Sequence, residues 1–249
     1  MPKNNRVAIV TGGARGIGRM IAMQLAAAGM QVVVADLSQP DPQDGLIEGL
    51  HADKKPLFVQ CDISNEMNIH DFINKIEKDF GGTDVLVNNA GMISKHPFTE
   101  IPSEDWDRVF RVNVKGAFLL SKAVLPNMIR QKDGRIINIA SVAAQVGGGF
   151  LGDTCYAASK GAILSMTKGI AREYAGDGIT CNAICPGLVE TEITASMPPE
   201  QRKIALQGIP AHRSAMPLDI ANAVVFLASP ESAYINGVTL NVDGGLIRH

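Results

Sequence analysis

A chain of 249 residues with 46% hydrophobic residues is long enough to bury the core of one large α/β domain or of two small ones. Its formal net charge is −2 and its 23 lysines and arginines are scattered, which argues against nucleic acid and membrane surfaces as partners. The first apolar run is too short for a signal sequence and no segment approaches about 18 uninterrupted apolar residues, so we expect a cytoplasmic protein.

Short apolar runs rich in valine and isoleucine alternate with longer segments of helical period. The strand candidates, in chain order, are 6–10, 31–36, 56–62, 84–91, 134–141, 179–187 and 237–245. The helix candidates lie near 17–28, 66–79, 104–130, 156–175 and 217–228. This alternation is typical of βαβ crossovers. We therefore predict an α/β fold, a doubly wound parallel sheet of about seven strands with helices on both faces.

The chain is predicted to form a single domain over 1–249. No linker rich in proline, glycine or serine divides it, and it contains no fixed repeat or low-complexity run. One long irregular region, 188–216, follows a strand and is rich in proline and polar residues. Long loops in compact domains are usually functional covers or disordered, so we predict a substrate lid at about 188–216.

Nearly every strand candidate ends in polar residues or glycine. In an open parallel sheet the carboxyl ends of the strands lie along one edge, where ligands bind. The predicted site therefore gathers residues that are distant in the chain: Thr11, Gly12, Gly13, Asp36, Asp62, Asn88, Asn89, Ala90, Gly91, Ser141, Pro186 and Gly187.

The segment TGGARGIG, 11–18, follows the first strand and opens a helix. Glycines there let the backbone approach a pyrophosphate, which exposed N–H groups and the positive end of the helix favour. A glycine-rich tight turn has the same composition. The strand before, the helix after and the acid that ends the next strand favour a dinucleotide site. We expect Gly12, Gly16 and Gly18 to take part in it.

That acid is Asp36, eighteen residues after Gly18. A carboxylate there accepts hydrogen bonds from the adenine-ribose hydroxyls and repels a 2′-phosphate, so we expect NAD in preference to NADP. Arg15 is the opposing signal, because a cation in the glycine loop can face such a phosphate; we interpret it as a solvated arginine. Asp62, which ends the third strand, is a candidate ligand of the adenine amino group or a turn aspartate.

Tyr156 and Lys160, in the stretch YAASK, are four residues apart. On a helix both side chains rise from the same face, with Cβ atoms about 5–6 Å apart. A phenol with a pKa of about 10 is a poor base at neutral pH, and a nearby ammonium, reinforced by the positive nicotinamide of a bound cofactor, favours the phenolate. We therefore expect Lys160 to lower the pKa of Tyr156 and make it a general acid/base. Ser141 either donates a hydrogen bond to the same substrate oxygen or caps a turn.

In their order, these motifs resemble the short-chain dehydrogenases/reductases. They are TGGARGIG, NNAG at 88–91, Asn113 in VNVKG, Ser141, YAASK and PG at 186–187, and the resemblance extends over essentially the whole chain. It implies a Rossmann-like single domain. It also implies a catalytic tetrad in which Tyr156 exchanges the proton with the substrate oxygen and Ser141 orients that oxygen. Lys160 would bind the nicotinamide ribose, and Asn113 would hold a water that links Lys160 to solvent.

The same resemblance implies contacts to the cofactor along the whole cleft and a homotetramer built through the helices around 104–130 and 156–175. Ile17 would flank the nicotinamide, and Val189 with Thr191 would fix its carboxamide. The full set of expected cofactor-binding residues is Gly12, Arg15, Gly16, Ile17, Gly18, Asp36, Asp62, Ile63, Asn89, Ala90, Gly91, Tyr156, Lys160, Pro186, Gly187, Val189 and Thr191.

Tyr156 lies fifteen positions after Ser141, a longer spacing than in many members of the family, and AAQVGGGFLGDTC holds the extra length. We expect this segment to border the substrate, with Gln145, Asp153 and Cys155 as candidate specificity groups. The five histidines and four cysteines show no metal-ligand spacing, so no metal is expected.

Three functions remain open. The favoured one is an NAD-dependent oxidoreductase that interconverts a secondary alcohol (a polyol, sugar, hydroxy acid or cyclic alcohol) and its ketone, with a small-molecule substrate as partner. The second is an NADPH-dependent 3-oxoacyl-(acyl carrier protein) reductase, with Arg130 and Arg172 facing an acidic carrier; Asp36 speaks against it, because reductive biosynthesis generally draws on NADPH. The third is a non-catalytic nucleotide-sensing protein, which would not need all four tetrad positions.

Overall fold

The computed structural model describes residues 6–39, 56–149 and 151–248. In these ranges one sheet contains seven strands: β1 Val7–Thr11, β2 Gln31–Asp36, β3 Leu57–Gln60, β4 Val85–Asn88, β5 Gly134–Ile139, β6 Ile179–Pro186 and β7 Thr239–Val242. Their spatial order is β3-β2-β1-β4-β5-β6-β7, and every neighbouring pair is parallel. The prediction of a doubly wound α/β sheet is confirmed.

Nine α-helices connect or follow these strands in the same ranges. They are α1 Gly16–Ala27, α2 Glu66–Phe80, α3 Ser103–Phe110, α4 Ala117–Gln131, α5 Ala143–Val146, α6 Thr154–Tyr174, α7 Glu192–Ala195, α8 Pro199–Gly208 and α9 Pro217–Ala228. None of them is both long and apolar enough to cross a membrane.

The apolar strand runs are continuous because both faces of the sheet are covered. In β2, Val32, Val33 and Val34 are all fully buried. Val33 packs into the core that contains α2 and α4, whereas its two neighbours face the opposite core, which contains α1 and α9. Successive side chains of a strand point to opposite faces, so one run of valines supplies both cores.

The predicted helix 104–130 is not one continuous α-helix. A π-helical segment, Arg111–Gly116, separates α3 from α4. Such wider turns insert one extra residue into a helix and are frequent at functional sites. This one carries Asn113, one of the four residues of the expected tetrad.

The interpretation of 188–216 as irregular is wrong, because it contains α7 and α8. Pro199 occupies the first turn of α8. Proline suits that position, because the first N–H groups of a helix have no intrahelical partner. The role of 188–216 as a substrate lid remains a prediction.

The strand order reverses between β1 and β4, which lie side by side although α1, β2, β3 and α2 intervene in the chain. The connections from the two strands therefore leave toward opposite faces of the sheet. In doubly wound sheets this divergence opens a crevice at the carboxyl ends of the strands. The fold thus places the ends of β1 and β4 at the centre of one cleft.

Candidate active site

A cavity of about 1050 Å³ lies along the carboxyl ends of the strands. It extends from the glycine loop after β1, past the ends of β4 and β5, to the segment around α7. Ser141, Tyr156 and Lys160 line it, together with every residue predicted to bind the cofactor. Asn113 is the one member of the predicted tetrad that does not line it.

The glycine loop is shaped by close backbone approaches. Gly12 and Gly16 have φ of +63° and +55°, a region that glycine adopts without strain. A Cβ at Gly18 would lie 2.2 Å from the Gly12 carbonyl oxygen and 2.4 Å from Asn89 Nδ2. Helix α1 therefore starts directly against the loop, and only glycine fits where they touch.

Asn89, at the end of β4, holds this loop to the neighbouring strand. Its side-chain Nδ2 donates to the carbonyls of Thr11 at 2.9 Å and Gly12 at 3.0 Å. The Thr11 hydroxyl in turn accepts the amides of Asn89 and Ala90, each at 3.0 Å. The side-chain NH₂ of Asn89 is thus occupied by the loop and helps to fix its shape.

The start of α1 fits a pyrophosphate. Its N-cap residue, Arg15, makes no side-chain cap, and its first turn holds no acidic residue. The first N–H groups of a helix need acceptors, and the positive end of the helix favours an anion. These uncapped amides face the same cavity as the glycines, which is what a bound dinucleotide phosphate requires.

Two carboxylates at neighbouring strand ends are held by backbone amides. Asp36 accepts hydrogen bonds from the amides of Ala14 at 3.0 Å and Ser38 at 3.1 Å. Asp62 accepts the amide of Ser64 at 2.8 Å, as a turn aspartate does. Both still line the cavity, so each also remains available to an adenosine group.

An ion pair spans the mouth of the cavity. Arg15 Nη1 lies 3.0 Å from Glu192 Oε2, and both side chains are about 70% exposed, at 72% and 68%. Exposed pairs of this kind contribute little to stability. Arg15 therefore exchanges partners at little cost, and a phosphate entering the cavity is a stronger partner than one carboxylate.

Tyr156, Lys160 and Ser141 meet at the end of β5. Lys160 Nζ donates to the carbonyl of Ile139 at 2.8 Å and lies 5.9 Å from the centre of the Tyr156 ring. Both side chains rise from α6, four residues apart, as predicted. The pair and Ser141 share one wall of the cavity.

Desolvation dominates the ionisation of this pair. It lowers the pKa of Lys160 to about 8 and raises the pKa of Tyr156, although a hydrogen bond with Ser141 acts in the opposite direction. The expectation that Lys160, reinforced by a positively charged nicotinamide, lowers the pKa of Tyr156 concerns the cofactor complex and stays a prediction. Because removal from water disfavours the ionised form of each side chain, Tyr156 in the protein alone is a neutral phenol that can donate a proton.

Asn113 does not reach the cavity surface formed by Tyr156, Lys160 and Ser141, but lies behind it. Its Oδ1 accepts the amide of Met92 at 2.8 Å, and its Nδ2 donates to the Met92 carbonyl at 2.9 Å and to Ser159 Oγ at 3.0 Å. The side chain thus joins the loop after β4 to α6. The water proposed for Asn113 stays a prediction.

Of the three candidate specificity groups, none lines the cavity. Gln145 Nε2 donates to Asn241 Oδ1 at 2.6 Å, Cys155 is fully buried, and Asp153 precedes α6. The same segment does border the cavity, through Val146, Gly148, Gly149, Leu151 and Gly152.

Sequence reasoning missed two apolar residues of the cavity near the C-terminus. Leu246 and Ile247 line it but belong to no motif and to no predicted lid. Only their position on elements that converge at the sheet edge identifies them. Within the described residues, no group of three His, Cys, Asp or Glu side chains could hold a metal ion.

Comparison with known proteins supports the same family along the chain. The family model described as enoyl-(acyl carrier protein) reductase, a member of the short-chain group, matches residues 12–247. The 3-oxoacyl-[acyl-carrier-protein] reductase FabG of Vibrio cholerae is 40% identical over 246 residues, 99% of each chain. The enzyme of the same name from Escherichia coli is 40% identical over 241 residues, 97% of each chain.

The chain belongs to the short-chain dehydrogenases/reductases. A further relative, the 2-(R)-hydroxypropyl-CoM dehydrogenase of Xanthobacter autotrophicus, is 42% identical over 246 residues, 96% of this chain and 98% of its own. As a member of the short-chain family, the protein is an NAD(P)-dependent oxidoreductase acting on CH–OH groups. The non-catalytic alternative is thereby set aside.

The prediction of NAD in preference to NADP is wrong. The FabG relatives are reductases of 3-oxoacyl groups on acyl carrier protein, and reductive biosynthesis of this kind generally draws on NADPH. The physical reason lies at Asp36. Its carboxylate holds the glycine loop through Ala14, so its presence does not depend on a ribose. Arg15, set aside as solvated, lines the cavity in a position where it can pair with a phosphate.

Proposed function

We propose that the protein is an NADPH-dependent reductase of 3-oxoacyl thioesters carried on acyl carrier protein. The observation that carries the proposal is the grouping of Tyr156, Ser141 and Lys160 on one wall of a single large cavity. A neutral phenol is the form that donates a proton to a ketone. Likeness to the reductases of Vibrio cholerae and Escherichia coli over nearly the whole chain supports the same substrate class.

In this proposal the dinucleotide supplies a hydride to the 3-oxo carbon when it is bound. The chain supplies binding, orientation and the proton. Ser141 Oγ donates a hydrogen bond to the ketone oxygen, and Tyr156 Oη transfers its proton to that oxygen as it becomes a hydroxyl. Lys160 Nζ stabilises the phenolate that remains, because an opposite charge nearby favours the ionised form.

Replacement of Tyr156 by phenylalanine tests the assignment. Loss of a positioned general acid should lower kcat for an acetoacetyl thioester of acyl carrier protein by about 10²–10⁴-fold. The Kd of NADPH, from fluorescence titration, should stay within about twofold, because the ring is retained. A variant that keeps its turnover, or a wild-type protein that consumes no NADPH with this substrate, would contradict the proposal.

A second candidate function is the interconversion of another secondary alcohol and its ketone. The 42% identity to 2-(R)-hydroxypropyl-CoM dehydrogenase favours it. The apolar residues of the cavity, among them Leu246 and Ile247, are compatible with an uncharged alkyl substituent. Turnover of a panel of alcohols, polyols and sugars with both oxidised cofactors, exceeding turnover of the thioester, would select this function.

We further propose that the chain acts as one domain, with 188–216 covering the substrate, and that it assembles as a homotetramer. Phe118 and Trp106 support the assembly, since they are 48% and 37% exposed on α4 and α3, the helices implied by the family resemblance. Exposed aromatic side chains are enriched at protein interfaces. Four free, buried cysteines fit the expected cytoplasmic location.

A further inference from the structure

Asp153 is the residue immediately before α6, within the long segment between Ser141 and Tyr156. Its Oδ1 accepts the backbone amide of Tyr156 at 2.9 Å, so it caps the helix. Aspartate is among the best residues for this position, because its carboxylate satisfies an amide that has no partner inside the helix. One carboxylate oxygen thus holds the backbone of the proposed proton donor.

The second oxygen of the same carboxylate binds a different element. Oδ2 accepts the hydroxyl of Ser94 at 2.5 Å and the amide of His96 at 3.1 Å, while the amide of Asp153 donates to the Ser94 carbonyl at 3.0 Å. Ser94 and His96 belong to residues 92–96, the loop that follows β4. We call this loop the cleft wall, because Met92 and Ile93 line the cavity.

The cleft wall is attached to α6 at its other end as well. Asn113 binds both backbone groups of Met92 and donates to Ser159 Oγ. The Ser159 hydroxyl then donates to the carbonyl of Tyr156 at 2.7 Å. The cleft wall is therefore held by two polar side chains, Asn113 and Asp153, whose hydrogen bonds lead to the backbone of Tyr156.

The Asp153 carboxylate is suited to this task in its ionised form. Burial raises its pKa, but hydrogen bonds from Ser94 and from the amides of Tyr156 and His96 outweigh that effect and lower it below the ordinary value. An ionised carboxylate only accepts hydrogen bonds, so it can satisfy all three donors at once.

We infer that Asp153 is a positioning residue, whose carboxylate ties the cleft wall to α6 so that the substrate ketone is held against the Tyr156 hydroxyl. Asp153 does not line the cavity and acts through the elements it joins. The inference rests on the proposed function, since it concerns the same reacting group. It gives the long Ser141–Tyr156 segment a role beyond bordering the substrate.

Replacement of Asp153 by asparagine separates this role from helix capping. Asparagine caps helices as well as aspartate does, through its single carbonyl oxygen. Its other group is an NH₂, which cannot accept the amide of His96. The variant therefore keeps the cap on Tyr156 and loses the bond from the His96 amide of the cleft wall.

Asn65→Ala is the matched control, because Asn65 caps α2 through the amides of Met67 and Asn68 and does not itself line the cavity. Loss of that cap should lower the melting temperature by about 2–4 °C and leave kcat unchanged. Asp153→Asn should show the reverse: a nearly unchanged melting temperature and a kcat lowered by about 10–100-fold, since small misplacements of a reacting group have effects of this size. The Kd of NADPH should stay within about twofold, because Asp153 does not border the cofactor.

Hydrogen exchange gives a readout that needs no substrate. In Asp153→Asn the amide of His96 should exchange faster than in the wild type, and the amides of α6 should not. If the wild type reduces no thioester, the proposed function fails, whereas the positioning role is still judged from this exchange and from Tyr156-dependent turnover of the alcohol panel. Unchanged exchange at His96, or a kcat that falls no further than in Asn65→Ala, would overturn the inference.

Discussion

Replacing Gly18 by alanine tests how closely α1 packs against the glycine loop. The added Cβ would lie 2.2 Å from the carbonyl oxygen of Gly12 and 2.4 Å from Nδ2 of Asn89, where ordinary contacts begin at 3.4 Å. One of these atoms is backbone and cannot rotate away. The contact can be relieved only if α1 moves outward by about 1 Å or the Gly12 carbonyl turns aside.

Either movement has a cost that can be bounded. Overpacking by one methyl group typically costs about 1–3 kcal/mol, and loss of the 3.0 Å bond from Asn89 to the Gly12 carbonyl adds about 1 kcal/mol. For a chain of this size, a loss of about 2–4 kcal/mol lowers the melting temperature by about 5–15 °C. The same displacement moves the amides that face the phosphates, so the Kd of NADPH should rise at least about tenfold, or 1.4 kcal/mol.

The assay is calorimetric melting together with fluorescence titration of NADPH. Gly176→Ala is the matched control, because a Cβ there meets no atom within 4 Å and its φ is not positive. At such a position the substitution is neutral or stabilises by about 0.4–1 kcal/mol. If Gly18→Ala melts within about 1 °C of the wild type and binds NADPH equally well, the described packing of α1 on the loop is wrong.

The remaining two predictions concern charge. Arg15→Ala should raise the KM of NADPH about tenfold or more and that of NADH much less, because one charge-assisted contact to the phosphate is lost. Equal increases in the two KM values would contradict a phosphate contact by Arg15. Lys160 has a pKa of about 8 when folded and 10.5 ordinarily, so its contribution to the free energy of unfolding rises with pH between those values. Between pH 7 and about pH 10, urea titrations should show that the free energy of unfolding of the wild type rises by about 2–3 kcal/mol relative to that of Lys160→Met. A difference that does not change with pH would refute the lowered pKa of Lys160.

Much of the fold was accessible from sequence because its signals are local. The buried valines of β2 and the helical period of α9 mark elements that the structure reproduces at 31–36 and 217–228, residue for residue. The π-helical segment at 111–116 was not accessible, since one inserted residue leaves the apolar pattern on either side nearly intact. In 188–216, proline was interpreted as a helix breaker, whereas Pro199 starts a helix.

The site was partly predictable for the same reason. Strand-end residues such as Asn89 and Ser141 are recognisable from their place in the pattern, and both line the cavity. The bonding of Asp36 to Ala14 and of Asp153 to the cleft wall depends on elements 22 and 57–59 residues away. The ionisation of Tyr156 in the protein alone could not be predicted, because its pKa depends on burial, which spacing alone does not reveal.

The reversal of strand order between β1 and β4 also bears on how the protein becomes competent to bind. Ala8 pairs with Val85, so the crevice between these strands does not exist until a long stretch of chain has been enclosed. We expect nucleotide affinity to emerge late in refolding, with contact order setting the pace. Conversely, a nucleotide at about a hundred times its Kd would raise the free energy of unfolding of the whole sheet by about 2.7 kcal/mol, because the unfolded chain has no crevice that binds it.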